Sequence, residues 1–354
     1  MANTFKTFLN SDIANARTLL HEAIPITGTI VSGTYNDDAN IKTFAHGMFE
    51  AVYDYPYLSS SANHIFDITA GYSSQGSLSS SDNTQNAKKI NIYNQHAQIL
   101  AGYDATGSIQ RFDTDGAAGG DETKMTECFF INFARLLTKD EIKKGSFVLD
   151  LYTSGTEVDD EDDRLSMKPF GDYGAATDYK VNSPAGEYGL LYTASSEPKG
   201  EVMGHIYYQA GIVVLTASAC SGAFSDPEDI PVGAIGKTVP AVDYALTAST
   251  ITSIANGFRF AIDSIDFNNT TELNSTIYFC RASTQDYNYS ANPTYLSASK
   301  IIVKNNNPKA EPVSYITTVG LYSADNELLA VAKLSEPLKK SPSNELTLRV
   351  RLDY

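Results

Sequence analysis

The segment most like a reactive site is Val232-Gly233-Ala234-Ile235-Gly236-Lys237-Thr238, whose last three residues are the Gly-Lys-Thr that closes a phosphate-cradling loop. Such a loop needs another glycine five places before Gly236, so that successive backbone amides can converge on phosphate oxygens. That position is Pro231, which has no amide hydrogen, and Pro240 follows where a helix should begin. The segment reads as a plain loop. Calcium gives a second partial match. Asp113, Asp115, Gly116 and Glu122 occupy positions three, five, six and twelve of an EF-hand loop. Position one is Arg111, a cation where a carboxylate ligand is required. The run Glu157, Asp159, Asp160, Glu161, Asp162 and Asp163 has enough charge to attract cations loosely, but it reads first as a solvated loop.

The remaining reactive types are scattered. His21, His46, His64, His96 and His205 form no His-x-His or His-x-x-x-His pair, so no local zinc spacing exists. Cys128, Cys220 and Cys280 are odd in number and widely spaced, which suits packed thiols in a reducing compartment. The Ser-rich stretch Gly71-Tyr72-Ser73-Ser74-Gln75-Gly76 lacks the five-residue spacing of a nucleophile elbow. Asp263 and Asp266 have the chemistry of a glycosidase pair, but alternation with Ile262 and Ile265 puts them on a surface face. The sequons at Asn268, Asn269, Asn274 and Asn288 read as turn chemistry. No catalytic, cofactor-binding or metal-binding residue is expected, and no enzymatic activity.

The elements that would position any site are mostly strands. The 354 residues include 22 tyrosines and no tryptophan, in a background rich in Thr, Ser and Asn, a composition suited to half-buried strands and polar loops. The net charge of −16 repels phosphate backbones, and the densest basic spots are pairs such as Lys143-Lys144 and Lys339-Lys340. Nucleic acid is therefore not an expected partner. The N-terminal segment lacks the apolar core of a secretion signal, and the apolar stretch at 210–219 is too short for a bilayer. A chain made without export and without a membrane partner is expected.

Helical signals concentrate early. Ser11 is placed to cap a short helix with Ile13, Ala16 and Leu20 on one face; Phe44 to Tyr53 reads as a helix stopped before Pro56. The clearest helix covers about 84–103, with Ile90, Tyr93, Ala97 and Leu100 in register and Ser81 or Asp82 as its cap. Beyond about residue 125 the period becomes two. Phe129, Ile131 and Phe133 share a strand face, Thr138 and Glu141 offer a capping box for one helical turn ended by Gly145, and 146–152 resumes as strand. Further strands are expected at 188–193, on both sides of Gly211, over 257–267 and 275–282, at 300–305, and in a hairpin around Ser323-Ala324-Asp325-Asn326. The last segment alternates strictly: Leu346, Leu348, Val350 and Leu352 face one way, with charged and polar residues between them. A terminal strand so patterned is expected to be pinned into a sheet. The expected fold is mainly β with a few helices (α+β), with antiparallel sheets of the β-sandwich type. It divides into a helix-containing region, 1–115, and a β-rich domain, 116–354.

Four blocks carry a family resemblance: LHEAIPITGTIVSGTY; AHGMFEAVYDYPYLSSSANHIFDITAGYS; FARLLTKDEIKKGSF with VNSPAGEYGLLY; and YITTVGLYSADNELLAVAKLSEPLKK with the closing RVRLDY. Together they resemble virion structural proteins of large contractile-tailed phages, especially T-even-type phages of marine cyanobacteria. The hairpin of Tyr315 to Leu334 followed by Leu346 to Leu352 also resembles the C-terminal pattern of tail baseplate proteins. The resemblance implies a non-enzymatic subunit, most simply of the tail or baseplate. Its implied partners are other virion proteins and copies of itself, and its implied location is the virion, assembled in the host cytoplasm. Two other readings stay open: a receptor- or carbohydrate-binding fibre component of the same particle or a neck- or capsid-associated subunit, and an enzyme such as a tail-borne cell-wall glycosidase.

Overall fold

The computed structural model describes residues 5–27, 38–116, 124–155, 164–196, 199–220, 241–290, 292–297, 300–301, 309 and 311–354. In chain order the strands begin with β1 (Ile13–Thr27), β2 (Ile41–Thr43), β3 (Glu50–Tyr53) and β4 (His64–Tyr72), followed by helix α1 (Asn86–Leu100). Next come β5 (Phe112–Asp113), β6 (Lys124–Met125), β7 (Glu127–Phe133), the single turn α2 (Arg135–Thr138), β8 (Glu141–Ile142), β9 (Val148–Gly155) and β10 (Arg164–Gly171). Then follow β11 (Lys180–Ser183), β12 (Gly186–Tyr192), β13 (Val202–Tyr207), β14 (Ile212–Thr216), α3 (Ala241–Ala248), α4 (Ile251–Ala261) and β15 (Ile262–Ala282). The C-terminal elements are β16 (Leu296–Ser297), β17 (Lys300–Ile301), β18 (Ser314–Tyr322), β19 (Leu328–Lys340) and β20 (Leu346–Asp353). The chain is thus mainly β with few helices, and its described strand ladders are antiparallel.

Backbone proximity divides the chain into two compact units, 20–271 and 1–19 with 272–354. The expected boundary between residues 115 and 116 lies inside the larger unit, where β7, from one side of it, pairs directly with β4 from the other. Helices are likewise not confined to the N-terminal region, since α3 and α4 fall at 241–261.

In the larger unit the strand order is β15-β9-β10-β12-β13-β14-β7-β4-β3-β2. Its centre is apolar on both faces, which is why β7 reads ECFFINF with hardly a polar position. Phe129, Ile131 and Phe133 enter one core, where Phe129 stacks on Phe258 of α4 with centroids 4.6 Å apart. Cys128 and Phe130 enter the other, beneath Tyr93 of α1. Helix α1 lies so close to β4 that a Cβ on Gly71 would sit 2.4 Å from the Lys89 carbonyl oxygen; only glycine fits there. The helix also reaches sideways. Lys89 Nζ donates to the carbonyls of Leu246 (2.6 Å) and Ser249 (2.8 Å), and Thr84 Oγ1 donates to that of Ala248 (2.8 Å). These donors occupy carbonyls that the end of α3 would otherwise leave unpaired.

Five local expectations are corrected. Ile13 to Leu20 is strand, preceded by a 3-10 turn at Asn10–Asp12, because these residues pair along β15 rather than exposing a helix to solvent. Phe44 to Tyr53 is no helix: Gly47, at φ +59, closes a turn by donating its N–H to Phe44 O at 2.9 Å, and β3 pairs with β2 and β4. Thr138 ends α2 instead of capping the next turn, since Lys139 takes φ 53 and Glu141–Ile142 pairs with β15. Residues 257–261 belong to α4, where Ile251, Ile254, Ala255, Phe258 and Ala261 make one buried face and Thr250 caps the N-terminus by accepting from Ser253 N at 3.2 Å. Helix α1 starts at Asn86 without Ser81 or Asp82 as cap; Gln85 precedes it in the left-handed region.

In the smaller unit β20 pairs with β15 from Ser275↔Asp353 to Ala282↔Leu346. Val350 is buried, Leu346, Leu348 and Leu352 are half-buried, and the residues between them are exposed. The long hairpin β18–β19 forms its own two-stranded sheet. Asn326 at φ 64 closes its turn, with Ser323 N donating to Glu327 O at 2.9 Å. Fully buried Lys340 fastens its base by donating to Asn288 Oδ1 (2.8 Å), Ser341 O (2.9 Å) and Thr284 O (3.3 Å).

Candidate functional site

Two places stand out by their geometry: a polar cavity in the larger unit and the exposed face of the hairpin in the smaller.

The cavity, about 340 Å³, lies where the C-terminal end of α1 and the loop after it meet β5, β6, β11 and the middle of the sheet. Its floor is aromatic. Tyr93 Oη donates to Met125 O at 2.7 Å and accepts from Phe112 N at 3.3 Å, fixing β5 and β6 over α1. Tyr188 and Tyr207 stack with centroids 4.9 Å apart, and the His205 ring lies 5.1 Å from Tyr188. His205 is 1% exposed, and burial pushes its pKa down to about 4, against the opposing pull of the Thr114 and Asp113 backbones. It is a neutral ring at physiological pH. Tyr188 Oη donates to Asn182 Oδ1 (2.9 Å) and Gly116 O (3.2 Å), and burial pushes its phenol up to about 12. Asp113 pairs with Lys124 through one oxygen, while its other oxygen has no hydrogen-bond partner. On the rim, Asp104 is committed to its own turn, accepting from Thr106 N (2.8 Å), Thr106 Oγ1 (2.7 Å) and Ser108 N (2.9 Å). These bonds hold its carboxyl below the usual range. Asp113 and Lys124 are therefore bound to each other, Asp104 is held by its own turn, and His205 is sealed beneath them.

The hairpin presents a different surface. Tyr315, Tyr322, Leu328, Leu329 and Val331 are each about half exposed or more. The Tyr322 ring covers the bare backbone of Gly320, and Phe5 packs on Tyr322 with centroids 4.5 Å apart. Leu329 is the extra residue of a bulge between the Leu321↔Ala330 and Tyr322↔Leu328 pairs. A wider bulge at 334–337 carries Pro337, which has no amide to donate. Bulges and a proline are devices that limit uncontrolled strand addition.

The residues singled out in the sequence are dispersed. Asp113 lines the cavity and Asp115, whose charge acts on His205, does not; among the described residues no group of three or more His, Cys, Asp or Glu could hold a metal ion. Glu122, the acidic run at 157–163 and the Gly-Lys-Thr segment lie outside the described residues. Asp263 accepts from Tyr152 Oη at 2.7 Å, and burial with the nearby Asp150 raises the Asp266 carboxyl. Cys128 and Cys220 are buried and Cys280 is half-buried, all as free thiols. His64 pairs with Asp67 at 2.8 Å, and His96 stacks on Phe130. Leu346, Leu348, Val350 and Leu352 lie together on the inner face of β20. The cavity was not legible in the sequence, because its walls come from segments between residues 75 and 207 that carry no common motif.

Comparison with family models, with curated proteins and with solved structures finds no match to this chain. Among the described residues, no helix is long and apolar enough to cross a membrane.

Proposed function

We propose that the chain is a structural subunit of a phage virion that acts through protein–protein assembly, in the tail or baseplate of a large contractile-tailed phage. The observation that carries this reading is the hairpin β18–β19, a two-stranded sheet whose tyrosine, leucine and valine side chains lie open to solvent. Exposed apolar side chains grouped on one element mark contact surfaces, and Tyr is favoured in them because it offers apolar area with a hydrogen-bonding tip. The charge distribution supports the same reading. The smaller unit carries 11 Lys and Arg against 9 Asp and Glu, leaving 15 against 33 in the larger unit. The hairpin thus belongs to a nearly neutral unit, where copies or neighbouring subunits can pack without strong repulsion. Partners on this reading are other virion proteins and further copies of the chain, arranged by the symmetry of the particle. Assembly takes place in the host cytoplasm, without nucleic acid or membrane.

The test is incorporation. A phage encoding the chain with Leu329→Lys and Val331→Lys is grown beside the wild type, and purified particles are analysed by quantitative mass spectrometry. The expected result is wild-type chain in every particle and roughly tenfold less of the variant, the consequence of losing about 1.4 kcal/mol or more of contact energy. Both positions are exposed, so the isolated variant is expected to unfold at the wild-type temperature. Equal incorporation of variant and wild type would refute the role given to the hairpin, and absence of the wild-type chain from particles would refute the virion reading.

A further inference from the structure

We propose that the cavity beneath the end of α1 binds a neutral, polyhydroxylated small molecule of the size of a mono- or disaccharide. The inference is independent of the assembly reading, because it rests on residues of the larger unit only. The cavity volume of about 340 Å³ lies within the ~300–1,000 Å³ typical of small-molecule sites. Its charges cancel: Arg111 and Lys124 stand against Asp104 and Asp113. A site of balanced charge gives an ion no net attraction and leaves hydrogen bonding to select the ligand.

The hydrogen-bonding groups on offer match hydroxyls. The side chains of Gln75, Gln110 and Arg111 line the cavity, and none has a hydrogen bond or ion pair among the described residues. Each is planar; the two carboxamides both donate and accept, and the guanidinium presents a fork of donors. Neighbouring ring hydroxyls donate and accept in the same way, so paired hydroxyls can satisfy such groups in both directions. The unpartnered oxygen of Asp113 adds an unmet acceptor at the floor, and Asn182 lies beside it, its amide donating to Gly116 O at 3.1 Å. A buried acceptor left empty costs free energy, which a ligand hydroxyl can recover. The aromatic faces are less available, since Tyr188 and Tyr207 already stack on one another. Affinity therefore depends on hydrogen bonds at a partly open site and falls in the millimolar range, about −4 kcal/mol.

The experiment titrates the full chain with methyl glucoside, methyl galactoside and N-acetylglucosamine, using saturation-transfer NMR with glycerol and sodium phosphate as controls. Two variants are measured beside it. Arg111→Met removes the unpaired guanidinium, and Ser108→Trp places an indole at the exposed rim. The expected result is saturable binding of at least one sugar, weakened about tenfold or more in both variants at an unchanged melting temperature. Should a variant melt lower, the Gln110→Ala chain, which loses no internal hydrogen bond, is used in its place. No saturable sugar binding up to about 50 mM, a preference for phosphate, or equal binding by wild type and the blocked variant would each overturn the proposal.

Discussion

His205 sits in the middle of the central sheet, paired with Leu190 on one side and Val214 on the other. Its ring is sealed among Phe112, Tyr188 and Tyr207, with the Tyr207 hydroxyl 3.5 Å from Nδ1. Burial lowers its pKa from 6.5 to about 4; the Asp115 charge opposes that shift and the Lys180 charge adds to it. The unfolded chain takes up a proton as pH falls through 6.5, whereas the folded chain does so only near 4. The stability due to the neutral ring is therefore complete above pH 6.5 and is lost as pH falls from 6.5 to 4. At 1.36 kcal/mol per pKa unit, a lowering of about 2.5 units corresponds to a loss of about 3 kcal/mol. Against the 5–15 kcal/mol stability usual for a folded domain, that loss is large. The assay is urea denaturation of the wild type and of His205→Gln at several pH values between 7 and 4.5. The glutamine variant is less stable at pH 7, because a sealed aromatic site has been disturbed. The gap must then narrow by about 2–3 kcal/mol on acidification, since only the wild type has the proton linkage. Parallel pH profiles for the two proteins would show that the folded chain does not keep the His205 ring neutral below pH 6.5.

Burial lowers Lys89 from 10.5 to about 8, so the unfolded chain binds the extra proton between those values and wild-type stability rises relative to Lys89→Met from pH 8 to 10.5; parallel thermal-melting profiles over that window would show that the ammonium is not desolvated as described. Leu348→Asp places a carboxylate on the inner face of β20 opposite Cys280 and is expected to cost about 2–3 kcal/mol; limited proteolysis should then release the C-terminal strand, and a protease-resistant mutant would remove the pinned-strand account.

What could be read from the sequence depended on whether one residue period governed a segment. In β20 the apolar residues fall on every second position, and the burial pattern follows that alternation residue by residue. In α1 the repeat from Tyr93 through Ala97 to Leu100 marks a helix, and all three side chains are buried. Elsewhere two periods coincide. The sequence GFRFAIDSIDF alternates like a strand, yet its first five residues complete a helix that Thr250 caps and that Phe129 receives. Ile13, Ala16 and Leu20 suit a helix face as well as a strand, and the pairing partner that decides the matter lies some 250 residues away on β15. The same distance hides the cavity. Arg111, Asp113 and Asn182 look like ordinary loop and strand residues until β12 and β13 bring Tyr188 and His205 beneath them. The terminal residues Leu346, Leu348, Val350 and Leu352 were legible for the reason the cavity was not: their signal is local.

The claim that contact is the function of this chain is tested most directly by a reconstruction of the intact virion. Density for the chain is expected in a repeated position, with Tyr322, Leu329 and Val331 of each copy covered by a neighbouring subunit. A particle in which the chain is present with its hairpin facing solvent on all sides would contradict it.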